Sequence, residues 1–113
     1  VRNYAVHVGG YTVAKSSANG QWTATVTYTV HDATHGPVLG ATVFATWSPV
    51  PGSTVLQDSA ITDANGQCVF KRTFGKKYYA VMFEITSIQP LDARFYYDAT
   101  SNDVSAGLAI NSP

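Results

Sequence analysis

His7, His31 and His35 are the only imidazoles in this 113-residue chain. Two of them stand four positions apart in the run HDATH, residues 31–35, with Asp32 between them. Imidazole and carboxylate are ligands for zinc and its neighbours, so His31, His35 and Asp32 could together hold a metal ion. On a helix, positions i and i+4 would share a face. Here a strand ends and a loop begins, so the spacing carries no such guarantee. The simpler account is loop histidines hydrogen-bonded locally, and no metal or other cofactor is expected. Asp63-Ala64-Asn65-Gly66 has the opening of a calcium loop. The further oxygen ligands and the closing glutamate do not follow, so it reads as a turn. Residues 98–103 (DATSND) crowd several short oxygen side chains and make a better calcium candidate, against the plainer account of a surface loop.

Patterns that carry catalysis are missing. There is no G-x-S-x-G elbow, no H-E-x-x-H and no phosphate-binding glycine loop. Glu84 is the one glutamate, mid-strand, and no close carboxylate pair is visible for acid–base work. The chain is expected not to be an enzyme. Cys68, the single cysteine, allows neither an internal disulfide nor a cysteine metal cluster. It reads as a small buried hydrophobe in a strand, with a reactive or intermolecular thiol as the alternative.

The bulk properties narrow the partners. Apolar residues make up 45% of the chain, enough for a real core. Charged residues are only 12%, and seven basic side chains balance seven acidic ones. A nucleic-acid binder gathers Lys and Arg on one face. Lys71-Arg72 and Lys76-Lys77 instead sit around a turn as ordinary loop charges, so no nucleic-acid partner is expected. No apolar run approaches the roughly 20 residues of a membrane helix, so no membrane insertion is expected. The chain starts at Val1 in strand-like sequence without a signal peptide. It is either cytosolic or a mature or excised piece, and its threonine-rich, charge-poor makeup favours the processed, extracellular or cell-surface case.

The elements that must position these residues follow from period two. In QWTATVTYTVHD, residues 21–32, Trp22, Ala24, Val26, Tyr28 and Val30 fall on one parity and threonines on the other. Such alternation is a strand with one buried face. Similar runs occur at 4–8, with 11–14 as an extension or a separate edge, and at 21–31, 41–48, 54–61, 67–74, 78–88, 93–97 and 106–110. The turn at 62–67 makes 67–74 the hairpin partner of 54–61. Gly and Pro clusters separate the runs, and no helical period is sustained. Turns every 8–12 residues predict an all-β chain: a single domain over 1–113, an immunoglobulin-like antiparallel β-sandwich of about 7–8 strands. Its core should take Trp22, Val26, Tyr28 and Val30 from one sheet and Val43, Trp47, Val81, Phe83 and Ile85 from the other.

Two phrases, HDATHGPVLGATVFATWS and TDANGQCVF, resemble the bacterial Ig-like domains of cell-surface adhesins and secreted hydrolases. Val30, Asp32, Pro37, Val38, Gly40, Ala41 and Val43 meet the family's V-x-D-x-x-x-x-P-V-x-G-A-x-V phrase. Thr62, Asp63, Gly66 and Gln67 meet its turn, and VHVGG looks like the start of the hydrolase-borne variant. The likeness covers about residues 1–90, and its motifs are turn and core signals, which specify a fold better than an activity. Related modules often pair a cysteine at the Cys68 position with one shortly before the turn; Ala60 stands there, which leaves Cys68 an orphan.

The resemblance implies a non-catalytic structural or interaction module of a secreted or cell-surface bacterial protein. It would serve as a spacer or as a self-assembling subunit working through an exposed sheet face or edge strand. Its expected partner is protein, either a second copy or a neighbouring domain. On the outer parity of neighbouring strands, Phe44, Met82 and Tyr78 could form an apolar interface patch, unless a loop or the C-terminal segment covers it. The alternative is a carbohydrate- or matrix-binding accessory module of a secreted hydrolase, with Tyr11, Tyr96 and Tyr97 as ring platforms and a polysaccharide partner. A third reading is a small metalloprotein built on His31 and His35.

Overall fold

The computed structural model describes residues 5–32, 34–90, 95–98, 102 and 107–113. The described residues form eight strands: β1 (Ala5–Ala18), β2 (Gln21–Asp32), β3 (Thr42–Val50), β4 (Leu56–Ile61), β5 (Gln67–Gly75), β6 (Ala80–Gln89), β7 (Tyr96–Tyr97) and β8 (Gly107–Asn111). They make two four-stranded sheets, β5-β2-β1-β7 and β4-β3-β6-β8. β1 and β7 run parallel; the other strand pairs are antiparallel. This is the expected Ig-like β-sandwich.

The alternation of β2 is answered residue by residue. Trp22, Ala24, Val26, Tyr28 and Val30 are buried, and the threonines between them are half-exposed. Facing them from the second sheet are Val43, Ala45, Trp47, Val81, Phe83 and Ile85, also buried. Phe83 joins the layers. Its ring stacks on Tyr28 at 5.7 Å and meets Phe70 at 5.0 Å, both from the other sheet, while Trp47 of its own sheet abuts it edge-on at 4.7 Å. Offset and edge-to-face pairs of this kind add about 0.5–1.5 kcal/mol each beyond the area they bury. The two indoles place their polar atoms at the layer's margin. Trp22 Nε1 donates to the Tyr78 carbonyl (2.9 Å) and Trp47 Nε1 to Asp58 Oδ2 (3.0 Å).

β1 and β2 form the long hairpin that the Asn-Gly pair announces. Asn19 (φ 54°) and Gly20 (φ 76°) are the two left-handed residues of a type I′ turn. One residue is inserted in β1 between Val8 and Gly10. This bulge reverses parity: Val6 and Val8 face the core before it, whereas Tyr11 and Val13, paired with Tyr28 and Val26, face the same way after it.

The expected hairpin of 54–61 with 67–74 does not form. β4 pairs with β3, and β5 pairs with β2 in the opposite sheet. The 62–67 turn therefore crosses the edge of the sandwich. Thr62 N–H donates to the Ala41 carbonyl and so stays with β3, while the Gly66 carbonyl accepts from Val30 N–H and hands the chain to β2. Asp63 holds the corner, its Oδ1 accepting from the N–H groups of Asn65 and Gln67. Turn chemistry is the same for a hairpin and for a cross-sheet link, so the turn signal could not separate them. β3 also runs through Pro49, where a break was expected. Its β4 ladder ends at Trp47–Leu56, so Pro49, without an N–H, lies where only β6 pairs with it.

Because Phe83 spans the two layers, Phe83→Ala should lower unfolding free energy by about 3–5 kcal/mol. Urea denaturation followed by tryptophan fluorescence measures this, and a loss below about 1 kcal/mol would remove Phe83 from that role.

Candidate functional site

The sequence pointed to two outer surfaces and a histidine pair, and the structure rearranges all three. Phe44 and Met82 are exposed on the same outer face of the β4-β3-β6-β8 sheet. The register keeps them apart. Phe44 lies in a row between Ser59 and Ser87, Met82 in a row between Ser48 and Ala109. Four residues of β3, Phe44 to Ser48, separate the two rows, about 13 Å at the usual rise, and Thr46 and Glu84 lie between. Tyr78 precedes β6 and is half-buried against the core, with Lys77 Nζ 5.0 Å from its ring centre. These three side chains do not gather into one apolar patch.

The tyrosines divide in the same way. Tyr11 lies on the inner parity of β1, its ring 5.3 Å from that of Tyr28. Burial, and then the nearby phenols of Tyr11 and Tyr97, push the Tyr28 hydroxyl far above its ordinary pKa. Tyr97 is half-buried, and its hydroxyl accepts from Asn102 Nδ2 at 2.8 Å. Tyr96 is exposed and points to the opposite face from Tyr97, its sheet neighbour being Ala5. No shared ring platform arises from Tyr11, Tyr96 and Tyr97.

A different surface emerges on β1. Residues 11–18 are exposed without interruption. On one side they pair with β2; on the other, β7 pairs only with Ala5 and Val6, and no described strand pairs with residues 11–18. The one charged side chain there, Lys15, reaches inward, and its Nζ donates to the Asn111 carbonyl at 3.0 Å. At the tip of the same hairpin, Ser17–Trp22, Lys76 and the C-terminal Ser112 and Pro113 line an open cleft of about 440 Å³.

At the other end of β1 the three histidines meet. His7 and His31 are cross-strand partners on the outer face of their sheet. His35 (φ 64°) stands in the loop after β2, its ring 5.0 Å from that of His7 and 5.9 Å from that of His31. One ring nitrogen from each falls in a set lying within 4.8 Å of one another. Asp32, the carboxylate expected to join His31 and His35, is not in the set. Neighbours on a strand point to opposite faces, and its carboxylate caps the loop instead. Asp32 Oδ1 accepts from Thr34 N–H, Thr34 Oγ1 and Gly36 N–H at 2.8–2.9 Å. Burial pushes that carboxyl up, but these hydrogen bonds and the His31 ring together hold it below the usual carboxylate range. His7 stood outside the set that the sequence suggested, because only the β1–β2 register brings it to His31. Of the 98–103 calcium candidate, only Asp98 and Asn102 are among the described residues.

Cys68 faces the core from β5, its Sγ 3.7 Å from the Tyr28 carbonyl. Ala60 lies on β4, in the other sheet. The long ladder of β2, the Trp47-centred third strand and the capped corner at Asp63 accompany a match of residues 10–94 to the family model for the bacterial Ig-like domain, group 1. The chain belongs to that family. Bacterial Ig-like domains occur in surface and secreted proteins, are generally non-catalytic and commonly mediate protein–protein contacts. No curated protein and no solved structure matches the chain. No helix of the described residues is long and apolar enough to cross a membrane. The family match begins after His7, so this Ig-like domain carries one histidine of the cluster outside the matched span and two inside it.

Burial pushes the Cys68 thiol up to about 11, so almost none of it is thiolate at neutral pH. A thiol-specific disulfide reagent at pH 8 should therefore label native protein only as fast as the domain opens, and label it at once in urea. Prompt labelling of the folded domain would show that Cys68 is accessible after all.

Proposed function

We propose that residues 1–113 form one non-catalytic structural module of a secreted or cell-surface bacterial protein, a spacer that associates with a second copy along the open edge of β1. The observation that carries this reading is the run 11–18: exposed throughout, paired among the described residues on one side only, with its single charge drawn away from the edge to Asn111. Bare edges are commonly blunted by a lysine that projects along them. Here Lys15 is engaged elsewhere, which leaves backbone donors and acceptors to meet another strand.

A second copy is the occupant that the side chains favour. Antiparallel pairing centred on Val13 sets Val13 against itself, and Tyr11 of one copy across from Lys15 of the other. Such a contact is isologous and closes as a dimer. With zero formal net charge and few charged groups, two copies do not repel. The carbohydrate-binding alternative rested on a row of tyrosines, and Tyr96 lies on the other face of its sheet from Tyr11 and Tyr97.

Sedimentation velocity over rising concentration tests the reading. A dimer should appear by about 1 mM, where a contact of about −4 kcal/mol half-saturates. Val13→Lys places like charges opposite one another at the centre of the pair, at a site already 37% exposed, and should hold the domain monomeric without unfolding it. A wild-type domain that stays monomeric at that concentration, or a Val13→Lys variant that dimerises equally, would remove the edge from the account.

A further inference from the structure

The three histidines do something that the module reading does not need. We propose that His7, His31 and His35 bind one divalent transition-metal ion of the zinc class, with a remaining coordination position open to solvent.

The donor set comes first. Every imidazole in the chain is in this one cluster, brought from β1, β2 and the following loop. Three imidazoles without a carboxylate suit zinc, nickel, cobalt or copper and are poor partners for calcium or magnesium, which take oxygen. Three protein nitrogens plus water is the ligand count of an open zinc site. Zinc–nitrogen bonds of about 2.0–2.1 Å in a tetrahedron put the nitrogens about 3.4 Å apart. The three nitrogens here lie within 4.8 Å of one another, so modest ring rotations close the gap. His7 is buried, His31 half-buried and His35 exposed, so the cluster has a floor and an open side.

Edge-to-face packing of the rings, at interplanar angles of 78–84°, is the competing account. It leaves one observation unexplained. His31 Nδ1 is buried and has no hydrogen-bond partner. A buried polar atom in that state costs about 1–3 kcal/mol and calls for a reason. A cation coordinated by Nδ1 would satisfy that atom. The surroundings are also shaped to this ring. A Cβ on Gly9 would lie 2.1 Å from His31 Nδ1, so the bulge residue has to be glycine for the imidazole to lie where it does. His35 is held in a left-handed conformation by the reciprocal pair of Asp32 N–H to the Gly36 carbonyl and Gly36 N–H to Asp32 Oδ1. Asp32 is thus a positioning residue for the third ligand.

Zinc titrated into chelator-stripped protein, followed by calorimetry and by ¹⁵N NMR of the imidazole side chains, tests this. One equivalent should saturate the protein and shift all three rings together, with a rise in Tm. His35→Asn keeps a residue that tolerates positive φ and removes one ligand; affinity should fall at least about tenfold while the fold is kept. Asp32→Ala should weaken binding without removing a ligand, and the three-ring pattern should persist at higher zinc. Absence of heat and of ring shifts at about 100 μM zinc, or affinity unchanged in His35→Asn, would overturn the assignment. Neither outcome bears on the edge pairing of β1.

Discussion

The contact on which the rest depends is the meeting of Phe83 with Tyr28 and Phe70 across the gap between the sheets. Each sheet alone is a ribbon with one apolar face, and a face of that kind is stable only when another covers it. Trp47 and Phe74 extend the layer along the strands, and Trp22 closes it near the hairpin tip. Because these rings hold two sheets of unequal strand length together, something must protrude. The overhang is the far half of β1, whose inward residues Tyr11 and Val13 reach beyond full cover and stay about two-fifths exposed.

The extra residue at Gly9 is the second constraint. A strand that ran without it would put Tyr11 and Val13 on the outer face. With it, the first half of β1 sends His7 outward beside His31, and the second half sends Tyr11 inward onto Tyr28. Glycine serves because the His31 ring occupies the space that a side chain would need. Core packing, the bulge and the histidine contact are therefore one arrangement, in which altering any member disturbs the register of the others.

What could be read from the chain, and what could not, divides along the range of the signals. Period two located the strands and placed both tryptophans and Phe83 in the core, because alternation is a local response to a single buried face. The Asn19-Gly20 turn is equally local: left-handed backbone is a property of those two residues. Pairing is not local. The 62–67 corner joins different sheets, and only the bonds from Val30 to Gly66 and from Thr62 to Ala41 decide that. The outer patch failed on register, since four residues of rise along β3 separate the row of Phe44 from that of Met82. His7 was not grouped with HDATH because its neighbour lies 24 positions away along the chain and one strand away in space. Asp32 was weighed as a ligand beside His31 and His35 because spacing alone does not say that adjacent strand residues diverge.

Both functional features end up on β1, at opposite sides of one bulge. The near half is fastened by the His7–His31 pair on its outer face and by β7 along its edge; among the described strands the far half pairs with β2 alone, and Lys15 ties it to Asn111. A strand that is clamped at one end and free along the other presents its edge in a fixed register. Slippage of one residue would exchange Tyr11 and Val13 for Thr12 and Ala14 on the inward side and expose an apolar pair. The clamp resists that slip where Gly9 sits under the imidazole, since a side chain at that place would run into the ring. Any interaction made by residues 11–18 therefore inherits its geometry from the histidine end of the strand, while the chemistry at that end is indifferent to whether the far edge is occupied.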